Sequence, residues 1–201
     1  VDVPKDDRRM HKKPIPLMGG LAIITGFIVS LAFDLITTTN LLIDDRRFLG
    51  LLTGLVIIMA CGIIDDIYVL KARYKLLFQL AAAISMVLIS GSRITILSNP
   101  FGPSPYVVLS PFISYPLTIL WIVGITNAIN FLDGLDGLAA GVASISSLSL
   151  FIVSMLRGDL DPATAVYTAV TTAALAGSTL GFLPFNFNPA KVFMGETGAA
   201  F

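Results

Sequence analysis

Charged residues are scarce in this 201-residue chain, which contains 13 Lys and Arg against 13 Asp and Glu. A formal net charge of zero gives no general attraction to polyanions, so we expect no nucleic-acid partner. In contrast, 55% of the residues are apolar and the mean hydropathy is +0.86. A soluble domain of this length would expose too much apolar surface, so the composition predicts an integral membrane protein.

Cysteine is almost absent as well. Cys61 stands alone in the middle of an apolar run, so it has no disulfide partner within the chain, and nothing in the sequence resembles a thiolate metal site. A free Cys in such a position usually packs as a small apolar residue. We therefore expect Cys61 to pack between helices.

Long apolar runs dominate the remaining sequence. A hydrocarbon core about 30 Å thick is crossed by a helix of ~20 apolar residues, and six runs are long enough. The sequence predicts a single all-α polytopic membrane domain over residues 1–201, with a few residues of uncertainty at each helix end. The predicted transmembrane helices cover about 17–36, 48–64, 76–92, 113–130, 138–156 and 162–183.

Two of these runs contain glycines at a spacing of four, namely Gly50/Gly54 and Gly177/Gly181. Small residues at that spacing allow helix backbones to approach closely in a membrane. We expect both pairs to lie at tight helix contacts.

The segment 93–112 differs from the apolar runs that flank it. Two β-prone stretches surround a turn rich in Pro and Gly. This pattern predicts a small hairpin on the outer, periplasmic face, and a rigid irregular loop is the alternative.

Lys and Arg are distributed unevenly between the loops. Nine of the thirteen lie in the stretches 1–16, 65–75, 131–137 and 184–201, and the other four lie in the alternate loops. Cytoplasmic loops carry an excess of Lys and Arg, so this bias places the first set in the cytoplasm.

Acidic motifs stand at the edges of three apolar runs, all in the cytoplasmic set. They are Asp65-Asp66, Asp133-Gly-Leu-Asp136 and Gly195-Glu196-Thr-Gly198. Ionisable groups at or within a bilayer are costly and are retained mainly where they have a function. The five acids therefore predict a site for a divalent metal and a phosphorylated substrate.

Adjacent acids such as Asp65 and Asp66 point in different directions on a helix, so at most one of them faces a given ligand directly. The other is free to bond a neighbour or to act as a base. The pair is preceded by Gly62-Ile-Ile, which places it at a predicted helix end.

The second motif is preceded by two amides, so that Asn127, Asn130, Asp133 and Asp136 follow at intervals of three. This spacing lines polar groups along one face of a helix or of a broken helix. Their oxygens are hard ligands that suit Mg²⁺ or Mn²⁺. The alternative is a polar turn between helices capped by Asp133.

Two further stretches are open to two interpretations. Glu196 is an oxygen-ligand candidate near a predicted helix start, where Thr197 and the amides favour phosphate, but alone the motif is an ordinary turn. The basic stretch around His11 and Lys12 either orients the chain in the membrane or contacts a nucleotide diphosphate.

Taken together, these motifs resemble those of the polyprenyl-phosphate N-acetylhexosamine-1-phosphate transferases, glycosyltransferase family 4. The stretches that carry the resemblance are Arg-Arg-Met-His-Lys-Lys-Pro-Ile-Pro-Leu-Met-Gly-Gly from Arg8, Gly-Ile-Ile-Asp-Asp from Gly62, Asn-Ala-Ile-Asn-Phe-Leu-Asp-Gly-Leu-Asp-Gly-Leu-Ala-Ala-Gly from Asn127, and Asn-Pro-Ala-Lys-Val-Phe-Met-Gly-Glu-Thr-Gly from Asn188. They occur in the family's order over nearly the whole chain. The first stretch is more similar to the branch that starts teichoic acid, O-antigen and related glycans.

The resemblance implies a phosphoglycosyltransferase of the bacterial cytoplasmic (inner) membrane, with its active site facing the cytoplasm. Such an enzyme moves a sugar-1-phosphate, here expected to be N-acetylglucosamine-1-phosphate, from a UDP-amino sugar to undecaprenyl phosphate and releases UMP. This is the first membrane step of a cell-envelope glycan. The expected cofactor is Mg²⁺, with Mn²⁺ as a substitute, and the expected partners include membrane lipid and a second copy in a homodimer.

The resemblance also implies residue roles. Mg²⁺ ligation falls to Asn130 and Glu196, positioning or deprotonation of the lipid phosphate to Asp65 and Asp66, and nucleotide-sugar binding to Lys12, Asn127, Asp133 and Asp136.

Two departures from the family pattern stand out. The family normally has Asp where this chain has Glu196. The family's first helix, its last helices and its His-rich cytoplasmic loop are not found within residues 1–201, so we expect a segment of a longer protein with ten or eleven transmembrane helices.

Two alternatives remain. A phospho-N-acetylmuramoyl-pentapeptide transferase of peptidoglycan synthesis has similar motifs but usually a different basic stretch. A cation-coupled membrane transporter also uses intramembrane acids, although it usually places them at mid-span near inverted repeats.

Overall fold

The fold is an α-helical bundle with one small sheet, as seen in a computed structural model that describes residues 15–37, 46–159 and 161–201. The elements within these ranges are α1 (Gly19–Thr37), α2 (Arg46–Tyr68), α3 (Ala72–Ser90), β1 (Ile96–Ser98), β2 (Tyr106–Val108), α4 (Pro111–Leu132), α5 (Leu138–Leu156), α6 (Pro162–Asn186) and α7 (Gly195–Ala200).

Six helices, α1 to α6, are long and apolar enough to cross a membrane. They confirm the six predicted spans and the all-α polytopic class, and most of them extend a few residues beyond the apolar runs. The extension of α2 through Asp65 and Asp66 matters most, because it places both acids in the last helical turns.

Local signals explain several helix ends. The carboxylate of Asp161 accepts a hydrogen bond from the Thr164 amide at 3.1 Å, and Pro162 follows at the first helical position of α6. Gly91 ends α3 with a φ of 68°, a left-handed conformation that glycine adopts without strain, and its amide donates to the Val87 carbonyl.

Two apolar clusters hold the bundle together. One lies between α1, α2 and α6 and includes the buried residues Ile24, Phe27 and Leu55. The other surrounds α7 and includes Ile23, Ala140, Phe182, Met194 and Ala199. Much of the remaining apolar surface is exposed, as expected for helices that face lipid.

The glycine pairs differ from each other in their surroundings. A β-carbon at Gly50 would lie 2.8 Å from the Met86 carbonyl oxygen of α3, which confirms the predicted close contact there. The prediction is wrong for Gly177 and Gly181, since no described atom lies within 4 Å of a β-carbon built at either. Their neighbour Ser178 contacts Gly26 of α1 instead, because the helix turns that one residue toward its partner.

Cys61 of α2 is buried, as expected for a small packing residue.

The predicted hairpin is confirmed, and the alternative of an irregular loop is wrong. β1 and β2 pair antiparallel, with Leu97 opposite Val107, and the Asn99 amide donates to the Pro105 carbonyl at 2.9 Å across the turn. The hairpin lies at the opposite end of the bundle from the acidic motifs, because α3 leads to it and α4 leads back from it.

Candidate active site at one end of the bundle

The acidic motifs meet where α2, α4 and α6 end and where α1, α3, α5 and α7 begin. Backbone hydrogen bonds tie these ends together: the Gly19 amide donates to the Phe193 carbonyl at 3.0 Å, and the Gly20 amide to the Met194 carbonyl at 2.7 Å. This end of the bundle is therefore fixed by main-chain contacts as well as by side chains.

The short helix α7 packs directly against the backbones of α1 and α2. A β-carbon at Gly20 would lie 2.2 Å from the Gly198 nitrogen, and one at Gly62 would lie 2.4 Å from the Thr197 Cα. Only residues without a side chain allow such an approach. Gly20 and Gly62 thus allow α7 to pack close to α1 and α2, and this packing fixes the position of Glu196 in the first turn of α7.

Asp66 caps α7 from the last turns of α2. Its Oδ1 accepts from the Glu196 amide at 2.9 Å, and its Oδ2 accepts from the Thr197 amide at 3.2 Å and from the Thr197 hydroxyl at 2.5 Å. These amides belong to the first turn of a helix, which has no intrahelical acceptor for them. Asp66 therefore positions Glu196, a role that the sequence did not indicate.

Asp65 points elsewhere, as expected for adjacent acids on a helix. It is 4% exposed, and its Oδ2 lies 2.7 Å from the ammonium of Lys75, while its Oδ1 accepts from the Leu70 amide at 2.5 Å. The second of these bonds supports the tight turn between α2 and α3, in which Val69 has a φ of 52°. A β-branched residue is strained in that conformation.

Lys75 joins two of the motifs. Its ammonium also lies 2.9 Å from Glu196 Oε1, so the cation bridges the carboxylates of Asp65 and Glu196. In the sequence, Lys75 is only one of several basic residues that follow Asp66. The sequence carries no stronger signal, since Lys71 and Arg73 lie even closer to the two acids along the chain, and the fold places Lys75 against them.

Asn130 contacts the other oxygen of Glu196, to which its Nδ2 donates at 2.8 Å. The two residues assigned to the metal are thus in direct contact, although 66 positions separate them. Asn127 is directed toward α3, where its Nδ2 donates to Gln79 Oε1 at 2.7 Å. Gln79 is 6% exposed, and the sequence did not indicate it because a single amide within an apolar run forms no spaced pattern.

Asp133 lies just after α4, close enough to the other acids to be affected by their charge. Burial, together with the charges of Glu196 and Asp66, raises the pKa of Asp133 to about 7. Within the described parts of the chain, no group of three or more His, Cys, Asp or Glu side chains is arranged to hold a metal ion.

Asp136 and Asn186 hold the loop that precedes α7. Asp136 Oδ2 accepts from the Ala190 amide at 3.0 Å and from Asn188 Nδ2 at 3.1 Å. Asn186, which is 3% exposed, accepts from the Gly137 amide and donates to the Val192 carbonyl, both at 3.0 Å. No sequence pattern indicates Asn186, because its role depends on two backbone groups that only the fold brings close to it.

The structure thus brings together five of the eight residues assigned from the sequence. Asp65, Asp66, Asn130, Asp133 and Glu196 share this end of the bundle, whereas the described bonds of Asn127 and Asp136 are made to Gln79, Val123 and the loop before α7. Lys12 lies outside the described residues.

An apolar cavity of about 120 Å³ adjoins this polar cluster. It is formed between α2, α3, α4 and the end of α7, and Ile58, Gln79 and Ala200 line both the cavity and the polar cluster.

Comparison with known proteins places these motifs in a family. A family model described as glycosyl transferase family 4 matches residues 48–201. The chain is 44% identical, over all 201 residues and 52% of the relative's length, to the probable undecaprenyl-phosphate N-acetylglucosaminyl 1-phosphate transferase of Bacillus subtilis. It is 39% identical to the decaprenyl-phosphate N-acetylglucosaminephosphotransferase of Mycobacterium tuberculosis, over 96% of the chain and 48% of that protein.

A more distant similarity extends to the peptidoglycan branch. The chain is 35% identical to the phospho-N-acetylmuramoyl-pentapeptide-transferase of Desulfitobacterium hafniense, over 96% of the chain and 60% of that protein. The chain therefore spans about half the length of the curated relatives it matches. With its six apolar helices, its converging acidic motifs and these similarities, this multi-pass membrane protein belongs to glycosyl transferase family 4.

Proposed function

We propose that this chain carries the reaction centre of a Mg²⁺-dependent transferase that moves N-acetylglucosamine-1-phosphate from its UDP derivative to undecaprenyl phosphate and releases UMP. The observation that carries the proposal is the contact between Glu196 and both Lys75 and Asn130, next to Asp65 and Asp66. The relatives from Bacillus subtilis and Mycobacterium tuberculosis both bear the names of N-acetylglucosamine-phosphate transferases.

The oxygen atoms at this site fit a hard divalent cation. Asn130 and Glu196 offer an amide and a carboxylate oxygen on facing elements. The pKa of Asp133 is raised first by burial and then by the charges of Glu196 and Asp66, and a bound cation would offset the contribution of those charges. Asn130 and Glu196 would hold the ion. When bound, Mg²⁺ polarises the sugar-side phosphoryl group and stabilises the charge of the departing UMP.

The protein's own residues would supply positioning. A lipid phosphate is largely dianionic near neutral pH, since its second pKa is ~6, so aiming it matters more than removing a proton. Lys75 would attract the phosphate charge, Asp65 would hold Lys75 in place, and Asp66 would keep α7 and Glu196 in register. Asp133 and Asp136 are expected to contact the nucleotide, with Lys12 and Asn127.

The apolar cavity beside the polar cluster supports a lipid acceptor. Its walls of Leu51, Ala82 and Met86 suit a hydrocarbon chain, and it adjoins the cluster at Gln79. The charge bias of the loops supports a cytoplasmic orientation, in which the site faces the pool of sugar nucleotides.

The acidic site lies at the ends of the helices rather than at mid-span, which disfavours a cation-coupled transporter. The similarity to a pentapeptide transferase keeps phospho-N-acetylmuramoyl-pentapeptide as the second donor to test.

The test is a radiolabel assay with the full-length protein in membranes. Labelled UDP-N-acetylglucosamine and undecaprenyl phosphate should give labelled lipid and UMP with Mg²⁺ and neither product in EDTA. UDP-N-acetylmuramoyl-pentapeptide should be a poor donor. Equal transfer of both donors would remove the proposed specificity, and no transfer of either would remove the proposed function.

Variants at Glu196 test the ion-binding role. Glu196→Asp keeps a carboxylate and should retain or raise Mg²⁺-dependent transfer, whereas Glu196→Gln should lower it by a factor of about 100 or more. The matched control is Asp159→Asn, an exposed acid at the opposite end of the bundle, which should have no effect. Loss of activity in Glu196→Asp would show that Glu196 is adapted to something other than the metal.

A further inference from the structure

The hairpin segment 93–112 is apolar on both faces and packs little of that surface. Ile96 and Val108 lie opposite each other on one face, Leu97 and Val107 on the other, and all four side chains are exposed. Phe101 at the turn is 98% exposed. An apolar surface of this kind is unusual on a segment in bulk water.

Beyond Arg93, the same segment carries no charged side chain. No Asp, Glu, Lys or Arg occurs between Arg93 and Asp133. Edge strands that face water are commonly protected by charged side chains, and this hairpin has none. Arg93 lies at its base, with the guanidinium 4.8 Å from the centre of the Tyr115 ring. Tyr is enriched at the boundary between membrane and water, and its presence at the base of the hairpin fits a position near that boundary.

The base of the hairpin is fixed below the outer end of α4. The Ile94 carbonyl accepts from the Ser114 hydroxyl at 2.6 Å, and the Ile94 amide donates to Thr118 Oγ1 at 2.9 Å. Both hydroxyl-bearing residues are buried. Thr118 is seven positions inside α4, or about 10 Å along its axis.

This attachment sets the depth of the hairpin. The 22 residues of α4 span about 33 Å, close to the thickness of the hydrocarbon core. A strand from Ile94 to Asn99 reaches about 17 Å, and the headgroup layer on each face is roughly 5–8 Å thick. A hairpin that starts about 3–10 Å inside the core therefore passes through the headgroup layer or lies in it.

Two physical limits favour a hairpin that lies in the headgroup layer over one that passes through it. The outer edges of a two-stranded sheet leave backbone N–H and C=O groups without a strand partner, which excludes the hydrocarbon core. The apolar side chains on both faces disfavour water. Only the headgroup layer offers hydrogen-bonding partners and apolar contact together.

We propose that residues 93–112 form a lipid-binding element that lies in the headgroup layer of the leaflet opposite the acidic site, with Phe101 and Phe112 inserted toward the upper acyl carbons. Phe112, 92% exposed at the start of α4, continues the lipid-facing surface of that helix into the hairpin. The proposal does not depend on the transferase activity.

The experiment uses tryptophan fluorescence of the full-length protein reconstituted in phosphatidylcholine vesicles. Trp121, the single Trp of this chain, is 61% exposed near the middle of α4 and serves as the deep reference. Phe101→Trp and Phe112→Trp are made together with Trp121→Phe, and the signal of Trp121→Phe alone is subtracted. Asp159→Trp in the same background is the aqueous reference, since Asp159 is exposed in another loop at the same end.

Lipids that carry bromine at different depths should distinguish the hairpin variants from the two references. For Phe101→Trp and Phe112→Trp, shallow bromines should quench about twofold more strongly than bromines near the chain ends, because the interface lies about 15 Å from the bilayer centre. Trp121 should show the reverse order, and Asp159→Trp should respond mainly to aqueous acrylamide.

Two results would overturn the proposal. Strong acrylamide quenching without lipid quenching at both hairpin positions would place the segment in water. Protection from both quenchers would mean that protein covers it, either a second copy or another part of the chain. A cooperative thermal unfolding transition close to that of the unsubstituted protein, measured in the same vesicles, confirms that each variant is folded.

Discussion

At the scale of single residues, the site depends on one lysine ammonium group that is shared by two carboxylates. Lys75 bridges Asp65 and Glu196, and Asp65 is nearly inaccessible to solvent. A buried carboxylate that loses its partner retains the full cost of desolvation. Lys75 therefore stabilises the fold as well as the proposed chemistry, and the two contributions can be separated.

We predict that Lys75→Met destabilises the protein and that adding Asp65→Asn restores part of the loss. Breaking a fully buried pair costs roughly 3–5 kcal/mol, and partial exposure of Lys75 reduces this to about 1–3 kcal/mol. Thermal unfolding in detergent measures both variants. Arg157→Met, which removes an exposed ion pair with Asp159, should leave the unfolding temperature unchanged.

If Lys75→Met and its double variant unfold at the same temperature, Asp65 is not the partner that matters. Transfer activity should remain low in both, because neither restores a positive charge beside Glu196.

Asp133 gives a prediction with a pH dependence. Its pKa of about 7 lies above the ordinary value of 3.8, so ionisation of this carboxyl opposes folding, fully above pH 7 and progressively less as the pH falls toward 4. In EDTA, Asp133→Asn should raise the free energy of unfolding by roughly 1–3 kcal/mol at pH 8 and have no such effect near pH 4. The same variant should abolish UMP release.

Thermal unfolding scans of both proteins between pH 4 and pH 8 measure this difference. A constant difference across the range would show that the carboxyl does not titrate there, and a destabilised variant at pH 8 would show that its charge is favourable.

At the scale of elements, the site is assembled by docking α7 between α1 and α2. Asp66 supplies the acceptors for the first turn of α7, and the glycines of three motifs allow the backbones to touch. A spacing of four between two glycines does not by itself identify such contacts. Gly177 and Gly181 have this spacing, but no described atom lies within 4 Å of a β-carbon built at either. What matters is the face on which a glycine lies.

We predict opposite effects for two glycine substitutions. Gly62→Ala would place a β-carbon 2.4 Å from the Thr197 Cα and should displace α7, lowering both the unfolding temperature and transfer activity. Gly181→Ala has room for its methyl group and should be neutral or stabilising by up to about 1 kcal/mol, because Ala is the better helix former.

The unfolding temperature and the transfer rate of both variants, measured in the same membranes, test these two predicted effects. Normal behaviour of Gly62→Ala would mean that α7 is not held at this distance. A severe loss in Gly181→Ala would point to a neighbour outside residues 15–37, 46–159 and 161–201.

At the scale of the whole molecule, the bundle has a polar end with the acidic motifs, and the hairpin and the exposed Arg157–Asp159 ion pair lie at the opposite end. The helices alternate in direction, so the predicted cytoplasmic stretches 65–75, 131–137 and 184–201 fall at the polar end. A single miscounted span would have separated the motifs. The charge bias of the loops predicts that the polar end faces the cytoplasm.

We predict that a membrane-impermeant maleimide labels Gly158→Cys in intact cells but labels Lys191→Cys only after the cells are opened. Both positions are exposed, and they lie at opposite ends of the bundle. Cys61 is buried and is replaced by Ala to remove background. Labelling of Lys191→Cys in intact cells would reverse the proposed orientation.

Much of this architecture was predictable from local sequence. Apolar runs set the six spans, a Pro/Gly-rich turn indicated the hairpin, and polar spacing identified Asn130 and Asp133. Such signals operate within a few helical turns, so they survive without knowledge of the fold. Asn186, Gln79 and the bridge through Lys75 could not be predicted in this way, because each depends on a partner from another helix.

The amino-acid sequence by itself determined which segments can lie in a membrane and at which end the acids collect, because hydropathy and helix length act locally. Only the tertiary structure decided how those acids divide their tasks. Asp66 bonds the amides of α7 while Asp65 faces Lys75, and two neighbouring carboxylates on one helix acquire different roles from the elements packed against them. Hydrogen bonds require partners within about 3 Å, and that proximity is created only when the helices pack.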